Sequence, residues 1–145
     1  MTRDIDIVIQ ISPRQSEQFI SLFEGDFPLH QKAVKQKIKS RGMFNLIHQE
    51  EIVKIDVTLL ENKEYEHQKL DRRQTLEIDD TPIDFISPED LIVSKLRRGE
   101  DSENSIQFDD VQNLLESRNE LDEEYLRSTL RKQGLMDTYE TLLNQ

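Results

Sequence analysis

Apolar and polar residues alternate in the first segment of the chain and predict a β-strand. Residues 4–11 read DIDIVIQI, and successive side chains of a strand point to opposite faces of a sheet. The face that reads as core carries four isoleucines: Ile5, Ile7, Ile9 and Ile11. Asp4 and Asp6 share the other face, where their carboxylates repel each other unless a divalent cation offsets the repulsion. The alternative is a solvated strand end, at which two acids cost little.

A second alternating pattern predicts a β-hairpin over residues 43–60. Two strand-like runs flank the polar tip Gln49-Glu50-Glu51. In the second run the apolar face holds Val53, Ile55, Val57 and Leu59. Asp56 lies on the opposite face, in the middle of the strand, although aspartate is disfavoured in strands and is rarely buried without a partner. Asp56 is therefore a third candidate site residue.

Two helices are predicted between these strands. Pro13 suits the first turn of one helix, which carries an apolar stripe and is expected to end near Gly25. The other helix, within residues 30–43, carries the basic cluster of this acidic chain: Lys32, Lys35, Lys37, Lys39 and Arg41. This basic cluster is either a solvated helix face or a phosphate-binding edge beside the acidic strand.

The second half of the chain is predicted to be mainly helical. A short helix over EYEHQKLDRR precedes two short strands around a turn at residues 79–82. Ser87 and Pro88 are typical of a helix start, Gly99 is expected to end that helix, and the polar loop EDSENS follows. Three further helices are expected at 105–117, 122–133 and 136–144.

Together these elements predict an α+β fold in a single domain, residues 1–145. Residues 1–100 would form the core, a small mixed β-sheet with packed helices, and residues 101–145 a helical C-terminal third. Within the sheet, the strand at 4–11 is expected to neighbour the strand at 52–60.

Charge and composition narrow the class of protein. The formal net charge of −11 argues against general DNA binding, because phosphate is repelled at long range. The chain has no cysteine, which excludes disulfides, thiolate metal sites and a cysteine nucleophile. No apolar run approaches the ~20 residues of a membrane span, and no signal peptide is evident. We therefore expect a cytoplasmic protein that does not bind membranes.

The order of several short segments resembles a known enzyme superfamily. TRDIDIVI, FNLIH, KIDVTLL, RR, SPEDLIVSKL and FDDVQNLL follow one another here as they do in the minimal nucleotidyltransferases of the DNA polymerase β-like superfamily. The resemblance is greatest to the bacterial AbiEii/AbiGii-type toxin nucleotidyltransferases and their uncharacterised relatives. It covers residues 2 to about 118.

The resemblance implies a metal site and a catalytic lysine. In that superfamily two carboxylates on one strand and a third on a neighbouring strand hold Mg²⁺ (or Mn²⁺), and the matching residues are Asp4, Asp6 and Asp56. Asp56 would also help to deprotonate the acceptor. Lys95 matches a lysine presented by a helix towards the site, or it is a solvent-exposed lysine. Asp110 would either orient Lys95 or cap its own helix.

Two further points concern the surroundings of the expected metal site: a nearby histidine and a departure from the superfamily pattern. His48 lies at the end of the FNLIH strand, next to the expected site, and such a histidine without a metal partner is more often structural. The superfamily also places a Gly-Ser pair ahead of its Asp-x-Asp strand to hold the triphosphate, whereas only Met1-Thr2-Arg3 precede Asp4. Either the natural protein extends upstream, or this is a shortened member with weak activity.

Two functions are consistent with the sequence. The first is a metal-dependent nucleotidyltransferase that moves a nucleoside monophosphate from an NTP to an acceptor, which would be RNA, a protein or a small molecule. The second is a non-catalytic interaction protein of a toxin–antitoxin-like system that retains the fold. We also expect an exposed apolar patch where the N-terminal helix of the superfamily would have packed, and therefore self-association into a homo-oligomer.

Overall fold

The structure is a computed structural model that describes residues 3–103, 105–117 and 120–145. The chain divides into two compact units, Met1–His67 and Gln68–Gln145. The fold is α+β with a helical C-terminal third, as predicted, and the single-domain organisation stays a prediction.

The first unit is built on a three-stranded mixed sheet. Strand β1 (Arg3–Ile9) is followed by a 3-10 turn (Pro13–Gln15), by helices α1 (Ser16–Phe23) and α2 (Gln31–Ser40), and by strands β2 (Met43–Ile47) and β3 (Val53–Leu59). The strand order is β1-β3-β2, in which β3 is parallel to β1 and antiparallel to β2. The predicted hairpin and the predicted pairing of the first strand with the Asp56 strand are both confirmed.

One face of this sheet packs against the two helices. The core combines side chains from α1, α2 and β3, with further apolar residues around them: Ile20, Val34, Ile38 and Leu59, then Ile9, Ile11, Leu29 and Phe44. Leu46 and Val57 are fully buried. Ile5 was expected on the core face but is 48% exposed. It lies near the start of β1, an edge strand, where fewer neighbours cover it.

The boundary between the two units falls within helix α3 (Glu64–Asp71), which is followed by a hairpin. Strands β4 (Gln74–Ile78) and β5 (Thr81–Phe85) pair in antiparallel register. Asp79 and Asp80 connect them with φ angles of 50° and 64°, which is the left-handed conformation that two-residue hairpin turns require. Within the described residues that follow, the helices are α4 (Pro88–Ser102), α5 (Ser105–Ser117), α6 (Glu123–Lys132) and α7 (Met136–Leu143).

Helix α4 is longer than predicted, and the expected helix end at Gly99 is wrong. Gly99 is buried within α4, where an added Cβ atom would lie 2.6 Å from the ring of Phe108 on α5. The glycine is there because the two helices approach closely. The expected loop EDSENS is also wrong, because its first three residues belong to α4 and its last residue, Ser105, begins α5. Asn104 lies outside the described residues.

Candidate active site

The parallel pairing of β1 with β3 places the sequence-predicted acids on one face of the sheet. Asp6 is the register partner of Asp56, and Asp4 is the register partner of Lys54. Side chains directly opposite each other on adjacent strands point to the same side. Three acids and one lysine therefore form a block, which we call the acidic face: Asp4, Asp6, Lys54 and Asp56. This face is the reverse of the one that packs on α1 and α2.

The charged side chains of the acidic face differ in their exposure to solvent. Asp4 and Asp6 are exposed, whereas the Asp56 side chain is 22% exposed. The Lys54 Nζ atom lies 3.4 Å from Asp56 Oδ1. That oxygen is buried and accepts no hydrogen bond from any residue that the structure describes. Asp56 thus has a charged neighbour but keeps unused acceptor capacity.

Sequence reasoning missed Asn45 on β2. Asn45 is the register partner of Asp56 in the antiparallel pair, so Asp6, Asp56 and Asn45 form a polar row across all three strands. The row is flanked by apolar side chains that are exposed although they lie on strands: Val8, Met43 and Ile47. The antiparallel register was the missing information, because no local pattern around Asn45 marks it as a site residue.

The donor atoms of the acidic face suit a hard divalent cation. Mg²⁺ and Mn²⁺ prefer oxygen ligands, and carboxylates supply them here. The buried Asp56 Oδ1 atom accepts no hydrogen bond from the described residues and could therefore serve as a metal ligand. As the side chains stand, however, no group of three or more His, Cys, Asp or Glu residues within the described part of the chain is arranged to hold a metal. The case for a metal site therefore rests on two observations: the strand register brings the acids to one face, and their carboxylate oxygens are suitable ligands. In the structure Asp56 forms an ion pair with Lys54.

Lys95 and Asp110, in the second unit, contact each other. The Lys95 Nζ atom donates a hydrogen bond of 2.7 Å to Asp110 Oδ2, and the two helices that carry them, α4 and α5, pack together. Asp110 lies in the interior of α5, so it does not cap that helix. Of the two roles considered for Asp110, the contact with Lys95 is the one that the structure contains.

A buried charged cluster fixes the start of α4 and was not foreseen. Asp90 is fully buried and Glu89 is 5% exposed, whereas acids in the first turn of a helix are ordinarily solvated and only complement its dipole. Asp90 accepts hydrogen bonds from Ser87 Oγ (2.8 Å) and from the Tyr125 hydroxyl (2.6 Å). The Arg72 guanidinium lies 3.7 Å from each carboxylate and 3.5 Å from the centre of the Tyr125 ring.

Burial controls the ionisation of the tyrosine in this cluster. Desolvation, followed by the hydrogen bond to the Asp90 carboxylate, raises the pKa of Tyr125 to about 12. The neutral phenol is thus the form that the folded chain stabilises. Glu89 connects the start of α4 to the start of α6. Its Oε1 atom accepts a 2.8 Å hydrogen bond from the backbone amide of Asp122, the residue that caps α6.

Two other sequence candidates have structural roles. The ring nitrogen Nδ1 of His48 accepts hydrogen bonds from the backbone amides of Glu50 and Glu51, and the ring contacts Phe27 edge-on. His48 therefore closes the turn between β2 and β3. The basic cluster of α2 occupies the solvent side of that helix, whose buried residues pack on the helical face of the sheet. This placement favours a solvated helix face over a phosphate-binding edge.

A mixed sheet with an Asp-x-Asp strand beside a strand that carries a third acid is consistent with a nucleotidyltransferase-like fold. The chain belongs to the protein family described as nucleotidyl transferase of unknown function (DUF2204), whose match covers residues 31–137. Asp56, Lys95 and Asp110 lie inside the matched range, and Asp4 and Asp6 precede it. No curated protein matches the chain. Among the described helices, none has the length and apolar character needed to cross a membrane.

Proposed function

We propose that this protein is a divalent-metal-dependent nucleotidyltransferase whose active site is the acidic face. The observation that carries the proposal is the parallel register, which pairs Asp6 with Asp56 and keeps Asp4 on the same side of the sheet. Membership of a nucleotidyl transferase family supports an NTP as substrate. The proposed ligands of Mg²⁺ or Mn²⁺ are Asp4, Asp6 and Asp56.

The proposed reaction transfers a nucleoside monophosphate to an acceptor hydroxyl. The acceptor oxygen forms a bond to the α-phosphorus of the NTP, the bond from that phosphorus to the leaving oxygen breaks, and pyrophosphate departs. A bound divalent cation supplies charge neutralisation at the phosphates. The Asp56 carboxylate, a proposed ligand of the cation, would also take the acceptor proton. Lys95 is the second proposed catalytic residue, with Asp110 as the residue that sets its orientation.

The test is transfer of label from an α-phosphate-labelled NTP in the presence of Mg²⁺, with RNA, protein and small hydroxyl compounds offered separately as acceptors. We expect label in one acceptor class, and we expect Asp56→Asn to reduce the rate by at least about a hundredfold, within the range attributed to acid–base groups. The matched control is Asp26→Asn, which removes the same charge from an exposed residue of the first unit outside the acidic face.

The competing function predicts a different outcome. A non-catalytic partner in a toxin–antitoxin-like system would show no transfer and no response to Mg²⁺. Equal rates for Asp56→Asn and Asp26→Asn would also contradict the proposal, because they would show that Asp56 takes no part in the reaction.

A further inference from the structure

The acidic face contains its own cation. Lys54 lies two residues before Asp56 on β3, so both side chains project from the same side of the sheet. Its register partner on β1 is Asp4. The lysine thus lies beside one acid along its own strand and directly across from a second. Its ammonium is 3.4 Å from the Asp56 carboxylate oxygen.

The contact between Lys54 and Asp56 is electrostatic rather than directional. The 3.4 Å separation counts as an ion pair, yet the Asp56 Oδ1 atom accepts no hydrogen bond within the described residues. The lysine side chain is 33% exposed, which leaves its flexible stem a path to water. An ion pair without a hydrogen bond is weaker than a hydrogen-bonded one, because it has no well-aligned donor, so a divalent cation can displace the ammonium from Asp56.

We propose that Lys54 is an internal counter-cation that competes with the divalent metal for the acidic face. This inference rests on the proposed function, since it assigns a regulator of metal affinity to the same site. Without metal, the ammonium offsets the mutual repulsion of the three carboxylates. When a divalent cation binds, the ammonium must leave Asp56, because two cations cannot share one carboxylate oxygen without repulsion. Lys54 therefore stabilises the metal-free chain and lowers its affinity for metal.

A purely structural ion pair would behave differently. If Lys54 only fixed the conformation of β3, its removal would weaken metal binding or leave it unchanged. If Lys54 competes with the metal, its removal lowers the stability of the metal-free chain and at the same time tightens metal binding. A general loss of structure would lower both the stability of the chain and its affinity for metal. It cannot lower the stability and raise the affinity together.

The experiment measures Mn²⁺ affinity of the whole chain from the electron paramagnetic resonance signal of free Mn²⁺, and the melting temperature with and without the ion. The variants are Lys54→Met, Lys54→Gln and Lys54→Arg. The control is Lys35→Met, which removes the same charge from a surface ion pair of the first unit, 3.1 Å from Glu17.

We expect Lys54→Met and Lys54→Gln to bind Mn²⁺ about tenfold more tightly than the wild type, as removal of one nearby unit charge at a partly exposed site predicts. Both should melt at a lower temperature without metal and show a larger rise with it. Lys54→Arg, which keeps the charge, and Lys35→Met should bind Mn²⁺ as the wild type does. The glutamine variant retains a polar end and serves if the methionine variant does not fold.

The failures of the two proposals are distinguishable. If no variant and no wild-type protein binds Mn²⁺, the metal site itself is wrong and the role of Lys54 falls with it. If the wild type binds Mn²⁺ and the two neutral variants match Lys35→Met or bind more weakly, the metal site stands and the counter-cation role is refuted.

Discussion

Replacing the buried Asp90 carboxylate should cost a large part of the stability of the second unit. Asp90→Ala removes the acceptor for two short hydrogen bonds, from Ser87 Oγ and the Tyr125 hydroxyl, and takes a negative charge away from Arg72. Hydrogen bonds to charged groups contribute roughly 1.5–3 kcal/mol each. Because breaking a buried pair leaves its partners unsatisfied, we expect a loss of about 3–5 kcal/mol in the free energy of unfolding. Typical proteins have only about 5–15 kcal/mol in total.

Urea unfolding followed by circular dichroism measures this loss as a lower midpoint with an unchanged slope. Asp90→Asn keeps the shape and one acceptor oxygen, so its loss should be smaller than that of the alanine variant. The control is Asp84→Ala, an exposed carboxylate in β5 that accepts from Arg73 and Thr75. Its effect should be much smaller. A loss below about 1 kcal/mol for Asp90→Ala would refute the reasoning that the buried cluster holds the start of α4 in place.

Three further outcomes are expected. Gly99→Ala should destabilise the chain by about 1–3 kcal/mol, because the new methyl group collides with Phe108; stabilisation, as at an exposed helical glycine, would contradict the close packing of α4 and α5. The pKa of Tyr125 is raised to about 12, so the folded state keeps a proton that the unfolded state loses near pH ~10. Stability should therefore fall between these two pH values, and the fall should be smaller in Tyr125→Phe. Lys95→Met and Asp110→Asn should slow nucleotidyl transfer to similar extents, and the double variant should be no slower than either, because the two residues act as one pair.

Period-two alternation predicted the strand face on which each acid lies, and the family resemblance implied that the three acids form one site. The alternation placed Asp4 and Asp6 on one side of the first strand and Asp56 on the polar side of another, and the parallel register then brought Asp6 beside Asp56. Lys54 shares the parity of Asp56, so the pattern already contained its position. The contact of its ammonium with Asp56 could not be predicted, because alternation shows which side chains share a face but not which of them make contact.

The remaining site features depend on contacts between distant segments. Glu89 and Asp90 look like ordinary acids at a helix start, and their burial depends on Arg72 and Tyr125, which come from elsewhere in the chain. Gly99 illustrates the same limit. A glycine near the end of an apolar pattern indicates a helix end or a close helix contact, and only the position of Phe108 decides between them.

The most direct test of the central claim, that the acidic face is a divalent metal site, is the nuclear magnetic resonance spectrum of isotope-labelled protein during addition of substoichiometric Mn²⁺. Bound Mn²⁺ broadens the signals of nearby nuclei and so reports where the ion lies. The account predicts that the amide signals of Asp6, Asp56 and Asn45 disappear first, and that Asp56→Asn prevents this. Broadening centred on another acidic segment, such as the Asp79-Asp80 turn, or no selective broadening at all, would contradict it.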